Sequence, residues 1–116
     1  MIDVVERYLD AIASLDWGAV DECIASDIVR VGPYGDRYEG RDDYMGYIED
    51  LMPVLPGYAM QLDRVAYVGD ARAYAELSET VELDGRPMRT PEVLVFELTG
   101  DGRIARVDVF IQTPQG

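Results

Sequence analysis

The sequence predicts an α+β domain in which helices come first and an antiparallel meander follows and packs against them. Two observations carry this. Before residue 53 three segments carry apolar residues at helical spacing, Val5 to Ile12, Val20 to Ile24 and Tyr44 to Leu51. From Tyr58 onward they fall into four long stretches separated by Gly69-Asp70, Asp84-Gly85 and Gly100-Asp101-Gly102, the tight glycine turns of hairpins. With 116 residues, 48% of them hydrophobic and 28% charged, the chain reads as one globular domain spanning 1–116.

Val5, Tyr8, Leu9 and Ile12 form the buried stripe of a first helix, and Asp3 is placed to cap it. Asp16 caps a second, short helix with Val20, Cys23 and Ile24 on its inner face, ending at Asp27. Ile28 to Val31 read as a short strand. Gly32-Pro33-Tyr34-Gly35-Asp36 read as a loop. A third helix runs from about Asp42 to Met52, with Tyr44, Ile48 and Leu51 on one stripe, and Pro53 ends it. The strands that follow are Tyr58–Val68, Ala71–Leu83, Met88–Leu98 and Arg103–Gln112. Strands this long can cover three helices only in a strongly curved sheet, helped by bulges.

Ten Lys and Arg against 23 Asp and Glu give a net charge of −13. That balance argues against nucleic acid and against an anionic membrane surface, both of which need a basic face. The chain has no His, which removes histidine triads, proton shuttles and histidine-held metals, and its single Cys forms no internal disulfide. No apolar run approaches a membrane span, and Met1-Ile2-Asp3 leads straight into a helical pattern with no signal peptide. These features lead us to expect a cytoplasmic protein with no metal and no cofactor.

Two carboxylates stand out. On the strand from Ala71 to Leu83, strict alternation puts Ala73, Ala75, Leu77, Glu79, Val81 and Leu83 on one face, and Glu79 is the only ionisable group there. A buried carboxylate needs a partner or must hold its proton; the other possibility is a bend that lets Glu79 reach solvent or an Arg. On the last strand Asp108 lies between Val107 and Val109, either paired with Arg64 or Arg106 or buried as a second acid. Glu92, beside Pro91, is expected at a pocket rim or as a solvated charge. Tyr8 lies on the inner stripe of the first helix, as a core residue or a hydroxyl donor.

The phrases Glu6-Arg7-Tyr8-Leu9, Leu15-Asp16-Trp17, Ala25-Ser26-Asp27 and Asp101-Gly102-Arg103-Ile104 occur in the order seen in the nuclear transport factor 2-like superfamily, which the chain resembles over nearly its whole length. That superfamily includes SnoaL-like polyketide cyclases, ketosteroid isomerases and limonene epoxide hydrolases. The resemblance implies a cone-shaped α+β barrel, with an apolar pocket between the helices and the concave sheet and a homodimer through the outer sheet face. By alignment with the epoxide hydrolases, Glu79 and Asp108 fall where those enzymes keep two working aspartates. Their bridging Arg falls at Leu77, and their water-holding Tyr and Asn fall at Arg30 and Gly32. Tyr8 matches the first-helix Tyr of the ketosteroid isomerases, whose base falls at Gly32 and whose protonated Asp falls at Leu94.

The functional expectation is a small, largely apolar ligand or substrate, handled by a cofactor-free isomerase, dehydratase, cyclase or hydrolase. Glu79, Asp108 and Tyr8 are the candidate catalytic residues. Tyr34, Arg30, Tyr44, Leu94, Phe96 and Met60 are the candidate ligand-binding residues. The alternatives are a module that binds without catalysis and a dimeric interaction domain whose cone is filled by its own side chains, among them Tyr8, Met45, Met60, Leu94 and Phe96.

Overall fold

The computed structural model describes residues 3–113. Helix α1 (Val4–Ser14) starts where Asp3 accepts a hydrogen bond from the Glu6 amide at 2.8 Å, and it buries Val5, Tyr8, Leu9, Ala11 and Ile12. Helix α2 (Trp17–Cys23) is capped by Asp16, which accepts from the Ala19 amide at 3.2 Å. It stops four residues before the expected Asp27. Strand β1 (Ile24–Val31) already begins at Ile24, because Ile24 pairs in parallel with Ile104 of the last strand. A register shift between Ile24 and Val29 then lets β1 bend before it rejoins that neighbour.

Strand β2 (Arg37–Glu39) returns antiparallel to β1 after the Gly32–Asp36 loop, a pairing too short to have a period of its own in the sequence. Helix α3 (Arg41–Leu51) buries Tyr44 and Ile48, and a 3₁₀ turn at Met52–Val54 closes it. Strands β3 (Ala59–Val68), β4 (Arg72–Leu83), β5 (Arg86–Leu98) and β6 (Ile104–Ile111) follow within a residue or two of their expected limits. Asp84 and Gly85 both take positive φ, 53° and 75°, between the paired residues Leu83 and Arg86. This is the two-residue hairpin turn whose twist suits a right-twisted sheet.

The sheet is six-stranded and mixed, in the order β2-β1-β6-β5-β4-β3, with β1 and β6 parallel. Register shifts at Leu62/Arg64 and Glu97/Leu98 add bends to the meander. Three helices against one face of this curved, unclosed sheet give the α+β cone expected. Its core joins α1 and α2 to Ile28, Phe96, Ile104 and Val107 on the inner sheet face. No helix among the described residues is long and apolar enough to cross a membrane.

Candidate active site

A cavity of about 450 Å³ lies between α1, α3 and the inner face of the sheet. Most of its wall is aliphatic and aromatic, with Leu9, Ile12, Ile48, Met60, Leu77, Leu94 and Val109 among the lining residues. Its mouth carries Tyr34, Leu83 and Met88, all exposed. Arg30, Glu79 and Glu92 are the charged side chains in the lining.

Sheet register explains how the two acids meet. Glu79 of β4 is opposite Thr90 of β5 on one side and Met60 of β3 on the other. Glu92 of β5 is opposite Leu77. Glu79 and Glu92 are therefore diagonal neighbours on one face, a separation that long side chains span. The Tyr58 hydroxyl, just ahead of β3, donates to Glu79 Oε2. Glu92 is only 9% exposed. Burial, a hydrogen bond shared with Glu79 and repulsion from that carboxylate push its carboxyl up to about 9, with Arg30 pulling the other way. Glu92 thus holds its proton at neutral pH. Burial and the nearby Glu79 likewise push the Tyr58 phenol far above its usual range.

The floor of the cavity holds a second polar pair. The Tyr8 and Tyr44 hydroxyls hydrogen-bond to each other, deep between α1 and α3. Burial pushes Tyr8 up to about 12, moderated by its bond with Tyr44, and pushes Tyr44 well above its ordinary value. Both are neutral hydroxyls across the physiological range, one donating to the other. Phe96 meets Tyr8 edge-on, with ring centroids 5.9 Å apart.

Arg30 comes from β1, where alternation with Ile28 turns it inward opposite Val107. Its Nη1 donates to Asp36 Oδ2 at 3.0 Å and to the Tyr47 hydroxyl at 3.3 Å, and its guanidinium lies 5.1 Å from the Tyr47 ring centre. Tyr47 stacks on Tyr38 at 4.0 Å. Arg30 thereby ties the Gly32–Asp36 loop to α3 beside the mouth, and within that loop the Gly32 amide donates to the Asp36 carbonyl at 2.7 Å.

Of the residues singled out from the sequence, Tyr8, Glu79, Arg30, Tyr34, Tyr44, Leu94 and Met60 line this cavity. Two stand elsewhere. Asp108 is opposite Val95 on the outer face and makes a bidentate pair with Arg106, at 2.8 and 3.1 Å. Its neighbours Val107 and Val109 take the inward positions, so the expected meeting of Glu79 with Asp108 does not occur. Phe96 is fully buried beneath Tyr8 and does not reach the cavity surface. Glu92, expected at a rim or in solvent, takes the place intended for Asp108, and Tyr58 is an addition. Both were open to period-two counting: Glu92 shares parity with Leu94 and Phe96, and Tyr58 with Met60.

The family model described as the SnoaL-like domain matches residues 5–107. Among solved structures, the LEH-like epoxide hydrolase of M. tuberculosis superposes with a TM-score of 0.81 at 22% identity, covering 94% of this chain and 80% of that one. A provisionally assigned ketosteroid isomerase of Kribbella flavida DSM 17836 gives 0.83 at 21% identity, covering 97% and 78%. A provisionally assigned SnoaL-like polyketide cyclase of Shewanella denitrificans OS-217 gives 0.82 at 10% identity, covering 94% and 88%. At these identities the likeness is one of fold. None of the curated proteins matches the chain by sequence.

Proposed function

Because this chain belongs to the SnoaL-like domain family, whose fold houses both enzymes and non-enzymes, its activity has to be argued from its own cavity; we propose that it is a cofactor-free acid–base enzyme acting on a small, largely apolar molecule. The observation that carries this is the juxtaposition of Glu79 and Glu92 in an aliphatic cavity, one fixed by Tyr58 and the other retaining a proton. Two carboxyls whose surroundings push them apart can divide the work, one as base and one as acid. Glu79 is the base, taking a proton from carbon or from water. Glu92 is the acid, giving its proton to the oxygen where negative charge develops. Tyr8 and Tyr44 supply neutral hydroxyls at the same floor. Isomerisation, dehydration, cyclisation and hydrolysis all consist of such paired transfers.

This reading includes a homodimer through the outer sheet face. Phe110 is 60% exposed there, beside its cross-strand partner Val93. The ion pairs Arg64–Glu76, Arg72–Glu97 and Arg106–Asp108 alternate in sign across the same face, a pattern that a second copy can complement.

The test is product detection by NMR across a panel of enolisable ketones, epoxides and activated alcohols, for the wild type and Glu79→Gln side by side. Turnover that Glu79→Gln abolishes supports the enzyme. Binding without turnover by either protein assigns the cavity to ligand carriage instead.

A further inference from the structure

The cavity has more negative charge than its own residues balance. Arg30 is committed to Asp36 at 3.0 Å and to the Tyr47 hydroxyl at 3.3 Å. No ion pair among the described residues includes Glu79 or Glu92. Glu79 has a donor in Tyr58. Glu92 is nine-tenths buried and faces the cavity, and its polar contact is the Glu79 carboxyl, another acid. Glu92 is one of the side chains that line the space a ligand would occupy.

We propose that the ligand of this cavity is a small lipophilic amine, bound as its ammonium ion between Glu79 and Glu92. The proposal rests on the cavity being the working site; because the bound cation takes the place of the Glu92 proton, such an amine occupies the site as an inhibitor of the acid–base cycle and not as its substrate. An ammonium N–H group supplies the donor that Glu92 lacks once it is ionised, and its charge offsets the repulsion from Glu79 that otherwise keeps Glu92 protonated. Tyr8, Tyr34, Tyr44 and Tyr58 contribute aromatic rings to the wall, and aromatic and aliphatic surface suits the apolar body of such an ion. The net charge of −13 favours the approach of cations and opposes that of anions. A neutral ligand leaves the carboxyl pair as it is, and an anionic one adds a third negative charge.

The proton balance follows. The free site holds one proton on Glu92; when the ammonium binds, that proton leaves to solvent and both carboxylates face the cation. The titratable and charged groups around Glu92 are Glu79 on β4, Arg30 on β1, Tyr58 ahead of β3, Tyr8 on α1 and Tyr44 on α3. The proton exchanged near neutrality is the one on Glu92.

Isothermal titration with benzylamine and with its neutral isostere benzyl alcohol, in buffers of different ionisation enthalpy near pH 7, tests this. The expected result is that benzylamine binds at least about tenfold more tightly, releases close to one proton and tightens by up to about tenfold per pH unit between pH 6 and 8. Benzyl alcohol should release none. Glu92→Gln, near-isosteric and checked for folding by its melting curve, should abolish the proton release and flatten the pH dependence. Equal or tighter binding of benzyl alcohol, or benzylamine binding without proton release, overturns the amine assignment and leaves the acid–base reading standing. Failure of both probes, repeated with cyclohexylmethylamine and its alcohol, overturns both.

Discussion

Glu92 lies diagonally across β5 from Glu79 on β4, on the one sheet face that is walled by aliphatic side chains, with Leu77 and Thr90 as their respective cross-strand partners. Neighbouring strands thus bring two acids together in a largely apolar cavity, and burial together with the adjacent Glu79 carboxylate keeps the proton on Glu92.

The stability of the protein should depend on that proton. A carboxyl whose folded value is raised from 4.5 to about 9 binds more protons in the folded than in the unfolded chain throughout that interval. Its contribution is fully present below 4.5 and is lost as pH rises toward 9, at a limiting rate of about 1.4 kcal/mol per pH unit. Urea unfolding near pH 5.5 and near pH 8.5 should show Glu92→Gln gaining on the wild type by about 2 kcal/mol or more at the higher pH. An equal offset at both would count against a protonated Glu92.

The Tyr8 and Tyr44 side chains are buried and their hydroxyls bond to each other, so either hydroxyl alone loses its partner. Tyr44→Phe and Tyr8→Phe should each cost about 1–3 kcal/mol. The double variant should cost clearly less than their sum, because it leaves no orphan hydroxyl. Equilibrium unfolding of the four proteins in a double-mutant cycle measures the difference.

Asp108 and Glu79 should separate cleanly by function. Glu79→Gln is expected to lower turnover by about 10²–10⁴-fold, the usual share of one acid–base group. Asp108→Asn, on the outer face beside Arg106, should leave turnover within about twofold. Steady-state kinetics on the first substrate found by the panel decides it.

Arg30 holds the loop beside the mouth through Asp36 and Tyr47. Arg30→Met should destabilise the fold by about 1–3 kcal/mol, since it strands the half-buried Asp36 carboxylate and removes a donor from Tyr47. Hydrogen exchange at the Gly32 amide, bonded to the Asp36 carbonyl, should accelerate before the rest of the sheet responds.

Phe110→Glu should convert a dimer to a monomer. Sedimentation at micromolar concentration should show the wild type at twice the mass of the variant, with unchanged far-UV circular dichroism. A wild type that sediments as a monomer removes the outer-face interface.

Much of this was legible in the residues. The two capping aspartates, the helical stripes and the glycine turns are local signals, and they place every long element within a few residues. β2 and the parallel pairing of β1 with β6 are not local: three residues have no period, and Ile24 is a strand residue only because Ile104 lies beside it. In the site, alternation placed Glu79 inside; the same count on the parity of Leu94 also puts Glu92 inside, but that residue was expected at a rim or in solvent. Charge alone made Glu92 look solvated, because no signal in its own strand reveals that Glu79 lies diagonally across from it on β4. Asp108 was drawn inward by the family resemblance, against the alternation of Val107 and Val109, and the alternation prevailed.

The most direct measurement is a carbon-13 NMR titration of the glutamate side-chain carboxyls in the wild type and in Glu92→Gln. One carboxyl should titrate with a midpoint near 9 in the wild type, and that transition should vanish in the variant. If every glutamate has completed its titration by about pH 6, the two acids do not share a proton, and the proposed division of labour between base and acid is gone.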